Sequence, residues 1–249
     1  MQDIHASLEI DAFTVDQPAA VAQLRCVGRT QNVRIVSLGG VIDTQLDSIP
    51  DIALVAAHGL GHHAGRCVMS FRGHQLGVSR IQKGQGDDAD GDWAVLTLDG
   101  RFPKHIHRLG WYSDAADNWE SFARQGGRVA LLKFANGETG KSCDIRIPRG
   151  GMRDSADSNA LILSDCVSMP GMSGAPAIVE VDGLPTIIGL NIGTRYDLSA
   201  PPLEWRSRAS LIRLVDTVVE DAIVRAIALE LPQDRQHNIP IDLTANEIQ

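Results

Sequence analysis

Three short segments carry residues that could together perform nucleophilic chemistry. His58 ends one apolar run, Asp92 opens another, and Ser173 stands in a glycine-rich turn. A serine hydroxyl is a poor nucleophile at neutral pH unless a base removes its proton, and histidine is the usual base. An aspartate bonded to the other ring nitrogen fixes the tautomer and stabilises the imidazolium. The chain order His, Asp, Ser therefore predicts a catalytic triad.

Each of these residues also has an ordinary explanation when it is taken alone. A histidine at a strand end is usually a polar surface group, and an aspartate before a strand is usually a turn former. A glycine-flanked serine is usually part of a loop. The joint order of the three segments favours the catalytic interpretation over three unrelated ones.

The surrounding residues resemble those of the trypsin or chymotrypsin superfamily of serine proteases. The matching motifs are Ala56-Ala57-His58, Asp92-Trp93-Ala94-Val95, Gly171-Met172-Ser173-Gly174-Ala175-Pro176 and Ile188-Gly189-Leu190-Asn191-Ile192-Gly193. The resemblance covers roughly residues 18 to 230. It implies a serine endopeptidase that acts on protein or peptide substrates without a cofactor or metal. It also implies an oxyanion hole formed by the backbone N–H groups of Gly171 and Ser173, where glycine permits an unusual backbone angle.

The same resemblance places the substrate pocket on two segments. One precedes the serine and includes Val167 and Ser168, and the other follows a wall strand and includes Asn191, Ile192 and Gly193. The closest likeness is to bacterial enzymes such as the glutamyl endopeptidases. Val167 stands where a preference for Lys or Arg would need a carboxylate. We therefore expect a small or uncharged residue before the cut, with acidic residues as the second choice and a hydrogen bond from Asn191 available.

Three other functions are weighed against the protease. A lipase or esterase would need Gly-x-Ser-x-Gly and the order Ser, Asp, His, but Ala175 replaces the second glycine. A metal site at His58, His62 and His63 would need a helix, which the neighbouring glycines disfavour. A catalytically inactive protease-like binding module is the remaining alternative, although all three triad candidates are retained.

Four cysteines allow three complete pairings, and four free thiols are the alternative. Related bacterial enzymes often carry a pair where Cys143 and Cys166 stand, which would leave Cys26 and Cys67 as partners. These two disulfides would indicate a periplasmic or secreted protein. Residues 1–19 lack the pattern of a secretory signal, so either the leader is absent from this chain or the protein is cytoplasmic.

The elements that must position the triad are mainly strands. Short apolar runs separated by glycine- or aspartate-rich breaks predict an all-β protein, and the resemblance specifies two antiparallel six-stranded β-barrels. We expect residues 1–106 to carry His58 and Asp92, and residues 107–249 to carry Ser173. Residues 101–106 are the expected crossover. The net charge of −8 argues against nucleic acid as a partner, and no run is long enough for a membrane span. The oligomeric state is left open.

One helix is expected near the end of the second half. Leu211, Val215, Val218 and Ala222 recur at helical spacing. The apolar stripe is widened by Leu214, Ile223 and Ile227. The helix should end near residues 231–232, before a proline. We expect it to pack against the second barrel.

Overall fold

The computed structural model describes residues 21–28, 34–61, 64–85, 90–112, 128–132, 139–146, 160–164, 168, 171–181, 184–196 and 207–232. Nearly all of its regular structure is antiparallel β, and one α-helix follows the last strand. The predicted all-β class with a C-terminal helix is confirmed.

The first six strands form a closed antiparallel barrel in the order β1-β2-β3-β6-β5-β4. They are β1 (Val21–Gly28), β2 (Arg34–Ile42), β3 (Ile52–Val55), β4 (Ala64–Phe71), β5 (His74–Lys83) and β6 (Ala94–Leu98). Strands β3 and β6 are buried throughout and pair with each other, from Ile52 opposite Thr97 to Val55 opposite Ala94. A 3-10 helix (Ala57–Leu60) follows β3 directly. The candidate histidine and aspartate thus flank two adjacent central strands.

The next seven strands form a second sheet. They are β7 (Gly110–Trp111), β8 (Arg128–Leu132), β9 (Thr139–Arg146), β10 (Ala160–Ser164), β11 (Pro176–Val181), β12 (Leu184–Tyr196) and β13 (Ser207–Leu214). Their order is β11-β8-β9-β10-β13-β12-β7, and β11 also pairs with β12. Strands β8 to β13 therefore close into a six-membered antiparallel ring. The short β7 adds a parallel partner to β12, which the prediction of six antiparallel strands did not include.

Three apolar clusters make up the interior. One fills the first barrel and includes Leu24, Met69 and Leu96. Another fills the second barrel and includes Leu131 and Ile188. The third is shared, because side chains of both barrels and of the C-terminal helix contribute to it. This shared cluster joins the two halves, so that residues from different barrels can meet at one site.

The helix α1 (Thr217–Glu230) begins later than the sequence predicted. Leu211 and Leu214 belong to β13, which has hydrogen-bonded neighbours on both edges, β10 and β12, so the sheet outweighs the helical spacing. Asp216 has an extended backbone and its side chain accepts a hydrogen bond from Val219 N, as an N-cap residue does. Within the part of the chain that the structure describes, no helix has the length and apolar character needed to cross a membrane.

The buried face of α1 matches the predicted stripe at Ala222 and Ile223 but not at Val218. Val219, Ala222, Ile223 and Ala226 are buried, whereas Val218 is 57% exposed. The helix lies against β3 and β6 of the first barrel, not chiefly against the second barrel as predicted. A solvent-accessible ion pair of 2.7 Å between Arg80 on β5 and Glu230 on α1 also joins the helix to the first barrel.

A buried ion pair anchors the start of the strand that leads to His58. Asp51 is 2% exposed, and Arg108 donates to both of its oxygens at 2.9 Å. The Phe102 N–H donates a third hydrogen bond to Asp51, at 2.7 Å. Because the carboxylate is fully paired, its burial is compensated. The expected crossover, which contains Phe102, and the adjacent Arg108 are thereby fixed to the start of β3.

One of the two predicted disulfides is confirmed. Cys26 on β1 and Cys67 on β4 are bonded to each other and lie directly opposite in the strand pairing. Cys143 lies on β9, but its side chain and Cys166 fall outside the described residues.

Candidate active site

His58 and Asp92 form a directly hydrogen-bonded pair. His58 Nδ1 lies 2.7 Å from Asp92 Oδ2, and the His58 backbone N–H donates to Asp92 Oδ1 at 2.9 Å. Both carboxylate oxygens are therefore engaged by one residue, which fixes the imidazole against the aspartate. Because Nδ1 faces Asp92, the other ring nitrogen is left for a reaction partner. The His58 side chain is 45% exposed and the Asp92 side chain 17%, so the pair lies at an open face.

The hydrogen bond to Asp92 is the main influence on His58, and it raises the pKa of the imidazole above its ordinary value of 6.5. Partial burial lowers the pKa, and the negative charge of Asp92 raises it further. The net effect favours the imidazolium. A base that must gain a proton during a reaction is helped by such a partner.

The geometry of the pair follows from the strand ends on either side of it. The backbone leaves β3 at Val55 and enters the 3-10 helix through Ala56, which has φ −74° and ψ 134°. This turn carries His58 to the mouth of the barrel. Trp93 N donates to Gly91 O at 2.9 Å, so Asp92 stands in a tight turn before β6. The pairing of β3 with β6 then brings the two residues together across 34 positions of sequence.

The Ser173 turn of the second barrel lies against the first barrel. Leu38 N on β2 donates to Ser173 O at 2.7 Å. Gly174 has φ +79°, and a Cβ on it would lie 2.0 Å from Leu38 O and 3.1 Å from Ala56 N. Only glycine fits so close to another backbone at a positive φ. The turn is thus held beside the residues that lead into His58.

Ser173 itself is half-buried. Among the described residues, no hydrogen bond joins its hydroxyl to His58. Such bonds are often long in unliganded sites and shorten when substrate binds. The structure therefore pairs His58 with Asp92 directly and places Ser173 nearby through its backbone.

The two expected oxyanion donors lie on the same turn. Gly171 has φ +89°, in agreement with the expectation that this position needs glycine. Within the described part of the chain, neither the Gly171 N–H nor the Ser173 N–H has a hydrogen-bond acceptor. Both groups are available to an outside oxygen atom.

The expected pocket residues have different environments. Ile192 and Gly193 are half-buried, and Val167 lies outside the described residues. Asn191 is fully buried, and its amide nitrogen already donates to Ser168 Oγ at 2.8 Å and to Met172 O at 2.9 Å. Because both amide N–H groups are used within the protein, the expected hydrogen bond from Asn191 to substrate is not available. Ser168 is buried as the partner of Asn191.

Sequence reasoning missed one residue that supports the site. Arg213 on β13 is 4% exposed, and its Nε donates to the carbonyl oxygen of Asp90 at 2.8 Å. Its Nη2 forms an ion pair with Asp216 at 2.8 Å. Arg213 lies in the segment whose apolar spacing predicts a helix, and no sequence signal points to a contact 123 residues away.

The chain resembles known proteins in its structure and not in its sequence. No family model matches the chain, and no curated protein matches it by sequence. Solved structures do match. The protease Anisep from Arthrobacter nicotinovorans superposes with a TM-score of 0.61 at 12% identity, covering 85% of this chain and 97% of that one.

Two further matches have the same character. The thermostable serine protease AL20 from an extremophilic microorganism gives a TM-score of 0.59 at 12% identity, over 85% of this chain and 97% of that one. The HL collagenase gives 0.56 at 17% identity, over 88% and 97%. These similarities extend over both barrels. The chain therefore has the two-barrel, chymotrypsin-like fold of these proteases.

Proposed function

We propose that the protein is a serine endopeptidase whose catalytic triad is His58, Asp92 and Ser173. The observation that carries the proposal is the doubly hydrogen-bonded His58–Asp92 pair beside a glycine-flanked serine. The chymotrypsin-like fold adds support, because proteases with this fold superpose over most of the chain. A binding module that had lost its chemistry would have no reason to retain this geometry.

The reaction begins when Ser173 Oγ attacks the carbonyl carbon of the scissile peptide bond. His58 Nε2 takes the hydroxyl proton, and Asp92 stabilises the resulting imidazolium. Negative charge develops on the carbonyl oxygen, where the N–H groups of Gly171 and Ser173 stabilise it. His58 then gives the proton to the leaving amine, and an ester to Ser173 remains. A water molecule, deprotonated by His58, hydrolyses this ester in the same way and restores the free serine.

The test is covalent labelling by a fluorophosphonate probe, combined with hydrolysis of a casein or peptide substrate. Only an activated serine reacts quickly with the probe. We expect the native protein to be labelled and Ser173→Ala to be unlabelled and inactive, with an unchanged unfolding temperature. Ser48→Ala, which removes an exposed hydroxyl from a turn of the first barrel, is the matched control and should behave as the native protein does. Native protein that is neither labelled nor active would favour the binding-module alternative.

For specificity, we propose cleavage after small or uncharged residues, with acidic residues second and Lys or Arg disfavoured. The sequence at Val167 offers no carboxylate to a basic side chain, and a buried cation without a partner is strongly penalised. The burial of Asn191 weakens the case for acidic residues, because its amide cannot meet a substrate carboxylate. A peptide-library cleavage profile tests this proposal, and dominant cutting after Arg or Lys would contradict it.

We also propose that the protein is exported to an oxidising compartment. The disulfide between Cys26 and Cys67 supports this, because such bonds are rare in the reducing cytoplasm. Fractionation of the native host, followed by alkylation and intact-mass analysis, tests the compartment and the cysteine state together. Cytoplasmic protein with four free thiols would contradict the proposal.

A further inference from the structure

Asn191 holds both sides of the Ser173 turn. Its backbone O accepts from Gly174 N at 2.7 Å, and its backbone N donates to Ala175 O at 2.8 Å. Its side-chain amide donates to the carbonyl oxygen of Met172, the residue before Ser173, at 2.9 Å. The residues immediately before and after Ser173 are therefore bonded to a single residue on β12.

The bond to Met172 O determines where the Ser173 N–H points. A peptide group is planar, and none in the described chain is cis. The carbonyl of Met172 and the N–H of Ser173 therefore point in opposite directions. Asn191 Nδ2 and Ala175 N both hold that carbonyl inward. The Ser173 N–H consequently points away from Asn191 and Ala175, which are both fully buried, and it has no acceptor among the described residues.

The orientation of the Asn191 amide is the only one that serves this bond. Exchanging its oxygen and nitrogen would place two acceptors, Asn191 Oδ1 and Met172 O, against each other. In the observed orientation Oδ1 is buried without a hydrogen-bond partner among the described residues. An unpaired buried oxygen destabilises a protein, whereas a leucine of similar volume would avoid that loss. Stability alone therefore does not explain an asparagine here.

We propose that Asn191 is a positioning residue for the oxyanion hole, which fixes the Met172–Ser173 peptide so that its N–H is ready to stabilise the transition state. The inference rests on the proposed protease function. Asn191 would then support the chemical step of the reaction. The sequence had instead predicted that it contacts the substrate.

The test compares Asn191→Leu with native protein on a peptide amide substrate. Loss of a complete oxyanion donor typically lowers kcat by about 100- to 1,000-fold. Because Met172 O keeps its bond from Ala175 N, the donor is loosened and not lost, and we expect kcat to fall by about 10- to 100-fold. KM should change by less than about threefold, since ground-state binding does not use this donor. Affinity for a peptidyl aldehyde, which forms a tetrahedral adduct with the serine, should fall in parallel with kcat/KM.

Thr186→Val is the matched control. It replaces another buried polar side chain of β12 that lies outside the Ser173 turn, so kcat should stay within about threefold of the native value. Asn191→Ala removes the same donor as Asn191→Leu with a smaller side chain, and should show the same split between kcat and KM if it folds when the leucine variant does not.

Two outcomes would overturn the inference. One is an Asn191→Leu protein with native kcat. The other is a loss of kcat/KM that comes mainly from a higher KM, while the affinity for the aldehyde stays at the native value. That result would show that Asn191 acts in substrate binding. Native protein without any hydrolysis or probe labelling would instead overturn the proposed function.

Discussion

Arg213 Nε donates a hydrogen bond of 2.8 Å to the carbonyl oxygen of Asp90, two residues before Asp92. The donor belongs to the second barrel, and the acceptor belongs to the segment of the first barrel that presents Asp92, the proposed triad aspartate. The same guanidinium donates to Leu214 O at 2.6 Å and pairs with Asp216, which caps α1. One buried cation thus ties together the aspartate loop, β13 and the helix.

Arg213→Met should weaken both the fold and the site. Loss of a hydrogen bond from a charged donor costs about 1.5–3 kcal/mol, so we expect the free energy of unfolding to fall by at least that amount. The rate of probe labelling should fall as well, because Asp92 loses the support of its loop. Urea unfolding and labelling kinetics measure the two effects. Arg80→Met, which breaks only the exposed ion pair with Glu230, should change stability by less than about 1 kcal/mol and leave labelling unchanged.

The pH dependence of kcat/KM should follow His58. Only the neutral imidazole can accept the serine proton, and the hydrogen bond to Asp92 raises the pKa of His58 above 6.5. Activity should therefore rise with pH and reach half its maximum above pH 6.5. Asp92→Asn removes the cause of the shift, so the rise should move to lower pH while kcat falls by about 10⁴-fold.

A matched carboxylate distinguishes this effect from a general change of charge. Asp99→Asn alters a first-barrel aspartate that accepts from Gly77 N, and its profile should equal that of the native protein. The raised pKa also means that the His58–Asp92 pair stabilises the fold most below pH 6.5, and that this contribution is lost as the pH rises through the folded-state pKa. A profile that peaks below pH 5 would contradict the triad.

The two glycines around Ser173 should respond differently to alanine. Gly174→Ala places a Cβ 2.0 Å from Leu38 O at a positive φ, so the turn must move away from β2. We expect loss of probe labelling and a large fall in unfolding temperature. Gly171→Ala meets no atom within 4 Å and should cost only about 1–2 kcal/mol for its left-handed backbone. Equal behaviour of the two variants would show that the close approach of Gly174 to Leu38 is unimportant.

The Cys26–Cys67 disulfide should contribute to stability without contributing to chemistry. It joins β1 and β4 over a sequence separation of 41 residues. Cys26→Ala/Cys67→Ala should lower the free energy of unfolding by about 2–4 kcal/mol, with labelling of Ser173 retained at 20 °C. Differential scanning calorimetry with and without reductant measures this change. Any remaining effect of reductant on the double variant would report the predicted Cys143–Cys166 pair.

Sequence reasoning was most successful where chemistry leaves a local motif. His58 and Asp92 were identified from short motifs, and the structure pairs them because β3 and β6 are adjacent. Strands β3 and β6 have continuous apolar runs of the kind that predict an all-β protein. Strand β5 gives a weaker sequence signal, because most of its side chains are exposed, which leaves little apolar periodicity. Strand β13 was taken for helix because a central strand and a helix can share the same apolar spacing over few residues.

The remaining features depend on contacts between distant residues. The pairing of Asp51 with Arg108 spans 57 positions, and that of Arg213 with Asp90 spans 123. Asn191 was read as a pocket residue because its position in the wall strand was recognisable, whereas the direction of its side chain was not. Burial and hydrogen-bond partners decide such roles, and neither is encoded in a short motif.

The packing of α1 on β3 and β6 also affects when the first barrel can complete its folding during synthesis. A ribosome releases the first barrel, with His58 and Asp92, long before it releases the helix that covers part of that barrel. Until Val219, Ile223 and Ala226 emerge, the apolar surface of the shared cluster is exposed, and the barrel lacks its final support. The first barrel therefore reaches its final packing only after α1 has been synthesised.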